Sequence, residues 1–295
     1  MDIPLLEGFA AVAEQVSVSR AAQSLHITQP SLSKRIRQLE SQVGQPLFDR
    51  IGRQLRLNEA GRVLLPHARR VLAEVEDGRR ALAGLSDQVS GRLSIGTSHH
   101  IGLHRLPNAL RHFVARYPQV ELDIHFMDSE QACLAVQQGK LELAIVTLPP
   151  EPIPQMQTEV IWPDPMAVLV AGDHLLAQQA RVTTAQLAQH PALLPDEATY
   201  THRLVGEMFR KQGLQPRVLL STNYLETIKM LVSIGLGWSV LPLSMCDDGL
   251  RALPLSAMKV QRELGLAWHA KRSLSNAARA MCALLRQQQV SIEPH

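Results

Sequence analysis

Leu5, Phe9, Val12 and Ala13 recur at the spacing of one helix face, which predicts a helix over 4–15. Ser17 and Ser19 offer capping oxygens for a short second helix, Ser19–Leu25, in which Ala21, Ala22 and Leu25 are apolar. After the tight connection His26-Ile27, Thr28 caps a third helix that tolerates Pro30 in its first turn. Leu32, Ile36, Leu39 and Val43 form a single buried stripe along it, and Gly44 stands where a left-handed stop belongs. Residues 47–57 read as a hairpin turning at Ile51-Gly52-Arg53. Asn58 then caps a long helix to about Leu85, where positions 64, 68, 71, 75, 78, 82 and 85 alternate by four and three, the seam of a coiled coil. Pro66 should bend that helix early, and Gly78 is a weak spot in the seam.

Beyond a boundary at Gly84–Gly91 the rhythm changes. A strand at Leu93–Gly96 is followed by a helix carrying Leu103, Leu106, Leu110 and Phe113. Val120–Phe126 alternates cleanly, with Val120, Leu122, Ile124 and Phe126 on one face. A helix over Ser129–Gly139 and a buried strand at Leu143–Val146 complete a β-α-β-α-β order, which implies a parallel sheet with helices on both faces. The Pro-rich stretch 149–165 should interrupt it, with strands resuming at Met166–Ala171, Ala192–Leu194, Val218–Ser221, Trp238–Leu241 and Leu264–His269. Helices fit at Asn223–Ile234 and from Ser275 to about Gln289. The pattern is α/β, in two lobes, with the chain crossing near 161–165 and returning near 266.

The formal net charge is only +3, but residues 28–70 hold nine Lys/Arg against three acids. A basic segment in an otherwise slightly acidic chain is the footprint of a polyanion-binding module. The N-terminus lacks a basic segment leading into an apolar one, and no apolar run is long enough to span a bilayer. With Cys133, Cys246 and Cys282 few and far apart, a cytoplasmic protein with reduced thiols is expected, without membrane association.

Two short helices followed by a third with a polar outer face make a helix-turn-helix candidate, whose third helix would enter the major groove by its N-terminal end. Gln29, Pro30, Ser31, Ser33, Lys34 and Arg37 are the exposed residues there. Gln reads adenine bidentately, and Arg and Lys, with Arg53 of the hairpin, hold phosphates. The residues in question are Phe9-Ala-Ala-Val-Ala-Glu14, Ser17-Val-Ser-Arg-Ala-Ala22, Leu25, Ile27-Thr-Gln-Pro-Ser-Leu-Ser33, Ile36, Leu39-Glu40, Val43-Gly44, Leu47-Phe48, Arg50, Leu55-Arg-Leu57 and Ala60-Gly61. Together they resemble the N-terminal signature of LysR-type transcriptional regulators. Asn58 replaces the family's usual Thr, one capping residue for another. Gly139–Thr147 and Gly235–Pro242 resemble segments of that family's effector domain, so the likeness spans the chain.

The resemblance implies a winged helix-turn-helix domain over 1–57, a linker and dimerisation helix over 58–87, and a two-lobed α/β effector-binding domain over 91–295. Its first lobe would comprise 91–161 and 267–295, its second 162–266, in an arrangement similar to type 2 periplasmic binding proteins. The implied partners are double-stranded DNA carrying an interrupted palindrome at a promoter, a small-molecule effector, RNA polymerase, and further copies of the chain in a homodimer pairing into a homotetramer.

In open α/β lobes ligands sit beyond the carboxyl ends of the strands. That rule selects Thr97, Ser98 and His99 after the first strand, with Met127 beside the same cleft, and Thr147 after the strand ending at Val146. From the second lobe it selects Thr201 and His202 at one helix start and Thr222-Asn223 at another. Free N–H groups at the helix start after Thr97 suggest a small anionic metabolite. Helix capping is the alternative role for each of these hydroxyl and amide side chains.

Other chemistries find less support. His100 and His104 have the four-residue spacing of a metal pair, but no Glu follows in zinc-peptidase order and no Cys is near, so no metal is assigned. Gly96-Thr-Ser98 lacks the second Gly of a nucleophile elbow. No catalytic constellation and no cofactor motif is present, so the chain does not read as an enzyme. A metabolite-binding α/β protein or enzyme with an incidental basic N-terminus is the competing class, separable by DNA binding.

Overall fold

The computed structural model describes residues 1–51, 54–83, 88–254 and 260–290. These separate into two compact units, 1–86 with 138–140, and 87–137 with 141–295.

The first unit is built from α1 (Ile3–Gln15), α2 (Val18–Ser24), α3 (Gln29–Val43), the antiparallel hairpin β1 (Phe48–Ile51) and β2 (Gln54–Leu57), and α4 (Glu59–Ala83). Local chemistry sets each boundary. Ser17 Oγ accepts from the Arg20 N–H, Thr28 Oγ1 from Ser31 N–H, and Asn58 Oδ1 from Gly61 N–H. Gly44 closes α3 in the left-handed conformation at φ +77°. Phe9, Val12, Ala21, Leu32, Leu39 and Leu47 are essentially solvent-free and form one core. Burying each of the large ones contributes roughly 1.5–3 kcal/mol, which fixes α3 across α1.

The four-three stripe of α4 divides in two. Leu64 and Ala68 pack into the core of their own unit, as do Leu65 and Leu72, so they are not free for a seam. Val71 and Leu82 stay 44% and 71% exposed. Gly52, Arg53 and Leu85 lie outside the described residues.

The second unit runs β3 (Gly91–Thr97), α5 (His99–His104), α6 (Pro107–Arg116), β4 (Val120–Phe126), α7 (Ser129–Gln137), β5 (Leu143–Thr147), β6 (Met156–Ala171), α8 (Thr184–Ala188), β7 (Pro191–Leu194), α9 (Tyr200–Arg210), β8 (Arg217–Ser221), α10 (Leu225–Ser233), β9 (Ser239–Pro242), β10 (Leu250–Ala252), β11 (Val260–His269) and α11 (Asn276–Val290). Its main sheet has the order β10-β6-β11-β5-β3-β4, with β9 on β6, and β7 pairs β8 separately. β3 lies parallel to both β4 and β5, whereas β6 and β11 pair antiparallel with their neighbours.

Several expectations are corrected. The single helix predicted through Leu103 and Phe113 is two, because Pro107 starts α6 afresh and Leu103 faces solvent. Phe126, on the same face of the strand as Val120, Leu122 and Ile124, is 50% exposed at the end of the edge strand β4. The Pro-rich stretch does break the β-α alternation, since no helix separates β5 from β6, but the strand resumes at Met156 instead of Met166 and runs unbroken through Pro163 and Pro165. Glu263, opposite Pro163, turns its carbonyl the other way, to Leu148 N–H. The prolines thus occupy positions where β6 owes no ladder bond to β11.

Strand β6 is shared by two cores. Leu93, Ile95, Phe113, Ile161 and Leu266 belong to one cluster, Val168, Val170, Phe209 and Trp238 to another. At the register shift between Leu264 and Gly265, β6 and β11 nearly touch: a Cβ on Gly265 would stand 2.0 Å from the Glu159 carbonyl. Only glycine fits there. Among the described residues no helix is long and apolar enough to cross a membrane.

Candidate functional site

The first unit presents the N-terminal end of α3 to solvent. Gln29, Pro30, Ser31, Lys34 and Arg37 are exposed, and Ser33 is half-buried. Ser33 and Arg37 line a groove toward Phe48 and Leu55 of the hairpin, and Arg37 Nε donates back to the Ser33 carbonyl at 3.4 Å. Gln29 Oε1 accepts from Ser19 Oγ at 3.1 Å. Ser19, selected from the sequence only as a capping oxygen, therefore orients the glutamine across the turn. Arg53 lies outside the described residues.

In the second unit the strand ends do converge, with different side chains carrying the chemistry. A cavity of about 50 Å³ is lined by Ser98, His100, Asp128, Ser129, Glu130, Thr147, Pro195, Thr199, Thr201, Asn223, Leu225 and Arg262. A second chamber of about 420 Å³ shares Thr147, Thr201 and Arg262 with it. Polar contacts clasp the lobes over the smaller one. Asn223 Nδ2 donates to Asp128 Oδ2 at 2.8 Å and to Asp196 Oδ2 at 3.2 Å. The Tyr200 N–H donates to Glu130. Arg262 Nε donates to Asp164 Oδ2 at 2.6 Å, and its Nη1 to Thr201 Oγ1 at 3.2 Å. Asp164, 1% exposed, also accepts from Arg105 at 3.5 Å.

Other selected residues are placed elsewhere. Thr97 is solvent-free, and its hydroxyl donates to the Ile145 carbonyl at 2.7 Å, away from the cavity lining. Ser98 lines the cavity and also caps α5, accepting from Ile101 N–H, so one of the N–H groups at that helix start is taken by its own serine. His99 is exposed between the rings of Phe126 and Tyr224. Met127 packs on the apolar cluster around Ala132 and Val146. His202 Nδ1–H donates to the Pro195 carbonyl at 2.8 Å and does not line either chamber. The helix starts are shifted: Thr199 caps α9, and Tyr224 precedes α10.

Burial governs the local proton chemistry. It pushes the Glu130 carboxyl up, helped by the charge of Asp128. It also pushes the thiols of Cys133 and Cys282 up to about 11, which keeps them protonated and unreactive at neutral pH. Arg262, Asp128 and Glu130 are the functional candidates that sequence reading missed. A charged residue inside the apolar pattern of β11, and acids flanking the start of α7, were the available signals.

Residues 3–62 match the profile described as bacterial regulatory helix-turn-helix protein, lysR family, and residues 86–290 match the LysR substrate binding domain. The chain is 33% identical over 283 residues to the HTH-type transcriptional regulator CbbR of Rhodospirillum rubrum, covering 94% of this chain and 93% of that one. It is 32% identical over 288 residues to the regulator CfxR of Cupriavidus necator, covering 95% and 89%. A full-length OxyR variant from Pseudomonas aeruginosa superposes with a TM-score of 0.74 at 26% identity, covering 98% and 94%.

Proposed function

The chain belongs to the LysR family of DNA-binding transcriptional regulators, with an effector-binding domain, and on that premise we propose how its residues divide the work. The observation that carries the reading is the open polar end of α3, held by Ser19 and by the core beneath it. Gln29 and Ser31 read base edges, while Lys34 and Arg37 hold phosphates of an interrupted palindrome. Arg37→Ala lowers affinity for all duplexes and flattens the salt dependence by about one unit of slope. Gln29→Ala costs roughly 1–3 kcal/mol of discrimination at one base pair. Fluorescence anisotropy over a salt series measures both. Unchanged sequence preference in Gln29→Ala would remove this face from the reading.

The effector is a small metabolite whose anionic group faces Arg262, Thr201 and Thr147, with Ser98 and Asn223 at the edge of the site. The chamber of about 420 Å³ falls in the range of small-ligand sites, roughly 300–1,000 Å³, whereas the clasped cavity of about 50 Å³ holds little more than water. Binding shifts the population of lobe closures and so the DNA-bound state. A thermal-shift screen of small carboxylates, phosphates and sulfur oxyanions is expected to find a ligand that a Thr147→Val, Thr201→Val double variant binds at least about tenfold more weakly. Equal binding by the variant would move the site elsewhere.

Assembly uses two surfaces. The remaining stripe of α4, Val71, Val75 and Leu82, pairs with its copy. The exposed apolar strand β8, with Val218, Leu219 and Leu220 at 42%, 56% and 42%, supports pairing of dimers into a tetramer. Val71→Asp places a charge in the first seam at a cost of several kcal/mol, and light scattering is expected to show dissociated or aggregated protein. A fully assembled variant would exclude the seam. The protein acts in the cytoplasm, with RNA polymerase as its further partner at the promoter.

A further inference from the structure

His100 and His104 project from α5, and both rings meet Glu226 in the first turn of α10. His100 Nδ1 lies 3.1 Å and His104 Nε2 3.0 Å from the same oxygen, Glu226 Oε1. The three ligand-type atoms all fall within 4.8 Å of one another, and the two rings are tilted by 48° with centroids 4.7 Å apart. A tetrahedral zinc ion, with bonds of about 2.0–2.2 Å, spaces its ligand atoms roughly 3.3 Å apart. The present separations need only small side-chain shifts to reach that. We propose that a divalent transition metal ion of the zinc type binds His100, His104 and Glu226, and that it clasps the two lobes of the effector domain.

The donor set selects the ion. Two imidazoles and one carboxylate suit zinc, cobalt or nickel, whereas calcium and magnesium take oxygen ligands. The site is anchored on one side and open on the other, since the side chain of His100 is 5% exposed and that of His104 50%. A water can therefore take the fourth position. Arg262, whose charge bears on His100, is itself paired with Asp164 at 2.6 Å. Because α5 follows β3 of the first lobe and α10 belongs to the second, all three ligands meet only when the lobes are closed. The ion then favours closure, and by linkage an effector that favours the same closure tightens the ion.

Chelator-treated full-length protein titrated calorimetrically with zinc is expected to bind one ion per chain. Visible absorption of bound cobalt should report tetrahedral coordination. His104→Ala and Glu226→Gln should each weaken binding by at least about 100-fold, beyond the 10–100-fold typical of losing an outer partner, and abolish the cobalt spectrum. Zinc should raise the melting temperature of the wild type and not that of Glu226→Gln. His104 is half exposed, and the amide introduced by Glu226→Gln keeps a hydrogen-bonding oxygen, so circular dichroism should show both variants folded. Weak sites among the twelve histidines would survive in every variant. The proposal is overturned if the variants bind zinc as tightly as the wild type, or if the wild type shows no one-to-one binding. In either case the trio is a hydrogen-bonded latch and nothing more. The titration needs neither DNA nor effector, so its failure leaves the regulatory reading untouched.

Discussion

Asp164→Ala is expected to lower the melting temperature of the effector domain by roughly 6–20 °C. Removing one partner of a buried ion pair costs about 3–5 kcal/mol, and each kcal/mol moves a domain of this size by about 2–4 °C. Asp164 is 1% exposed and receives Arg262 Nε at 2.6 Å, while the Arg262 side chain is itself 9% exposed. Without the carboxylate, the guanidinium keeps only the neutral Thr201 hydroxyl among these partners. It must then either stay buried and uncompensated or swing away from the cavity it lines. The double variant Asp164→Leu, Arg262→Met removes both charges and should recover most of the loss, which separates charge burial from a simple cavity. Differential scanning calorimetry of the three proteins decides it. A drop under about 2 °C in the single variant would mean that Arg262 is solvated and not poised as described.

Gly61→Ala is expected to melt the DNA-binding unit and leave the effector domain intact. A Cβ at Gly61 would stand 2.2 Å from the Leu47 carbonyl and 2.6 Å from Leu57 Cδ2. That carbonyl is also the acceptor for Asn58 N–H at 3.1 Å, so the backbone cannot retreat without breaking the joint between hairpin and α4. Overpacking of this kind costs about 3 kcal/mol, a large share of the roughly 5–15 kcal/mol that holds a domain folded. The corresponding calorimetric transition should fall by roughly 12–24 °C, and DNA binding should decline with the folded fraction. The transition of the effector domain should not move. Two unchanged transitions would show that the helix start is looser than the close contact implies.

What could be read from the sequence was what neighbouring residues decide. Thr28, Pro30 and Gly44 bracket α3 through bonds and backbone angles within a few positions, and the stripe Leu32, Ile36 and Leu39 fixes its buried face. The Ser19–Gln29 bond could not be read, because it depends on how two helices meet. Prolines usually end strands, and β6 escapes because Pro163 and Pro165 occupy non-bonding positions, which pattern alone does not show. In the second unit, the strand-end rule led to Ser98, Thr147 and Thr201, which the fold brings to the lining of one cavity. It did not show that the Thr97 hydroxyl is spent on a carbonyl 48 residues away. Arg262 finds its partners 98 and 61 residues back along the chain, and Glu226 meets His104 from 122 residues on. Such pairs become visible only once the sheet has brought these distant segments together.

The central claim is that α3 reads DNA sequence. Iterative selection of full-length protein on a pool of random double-stranded DNA, at physiological salt and with each round sequenced, tests it most directly. The expected result is convergence on an interrupted palindrome bound about 10³-fold or more tightly than the starting pool, with one conserved position relaxed when Gln29→Ala is used instead. A pool that stays random through successive rounds, while the protein remains folded, would contradict it.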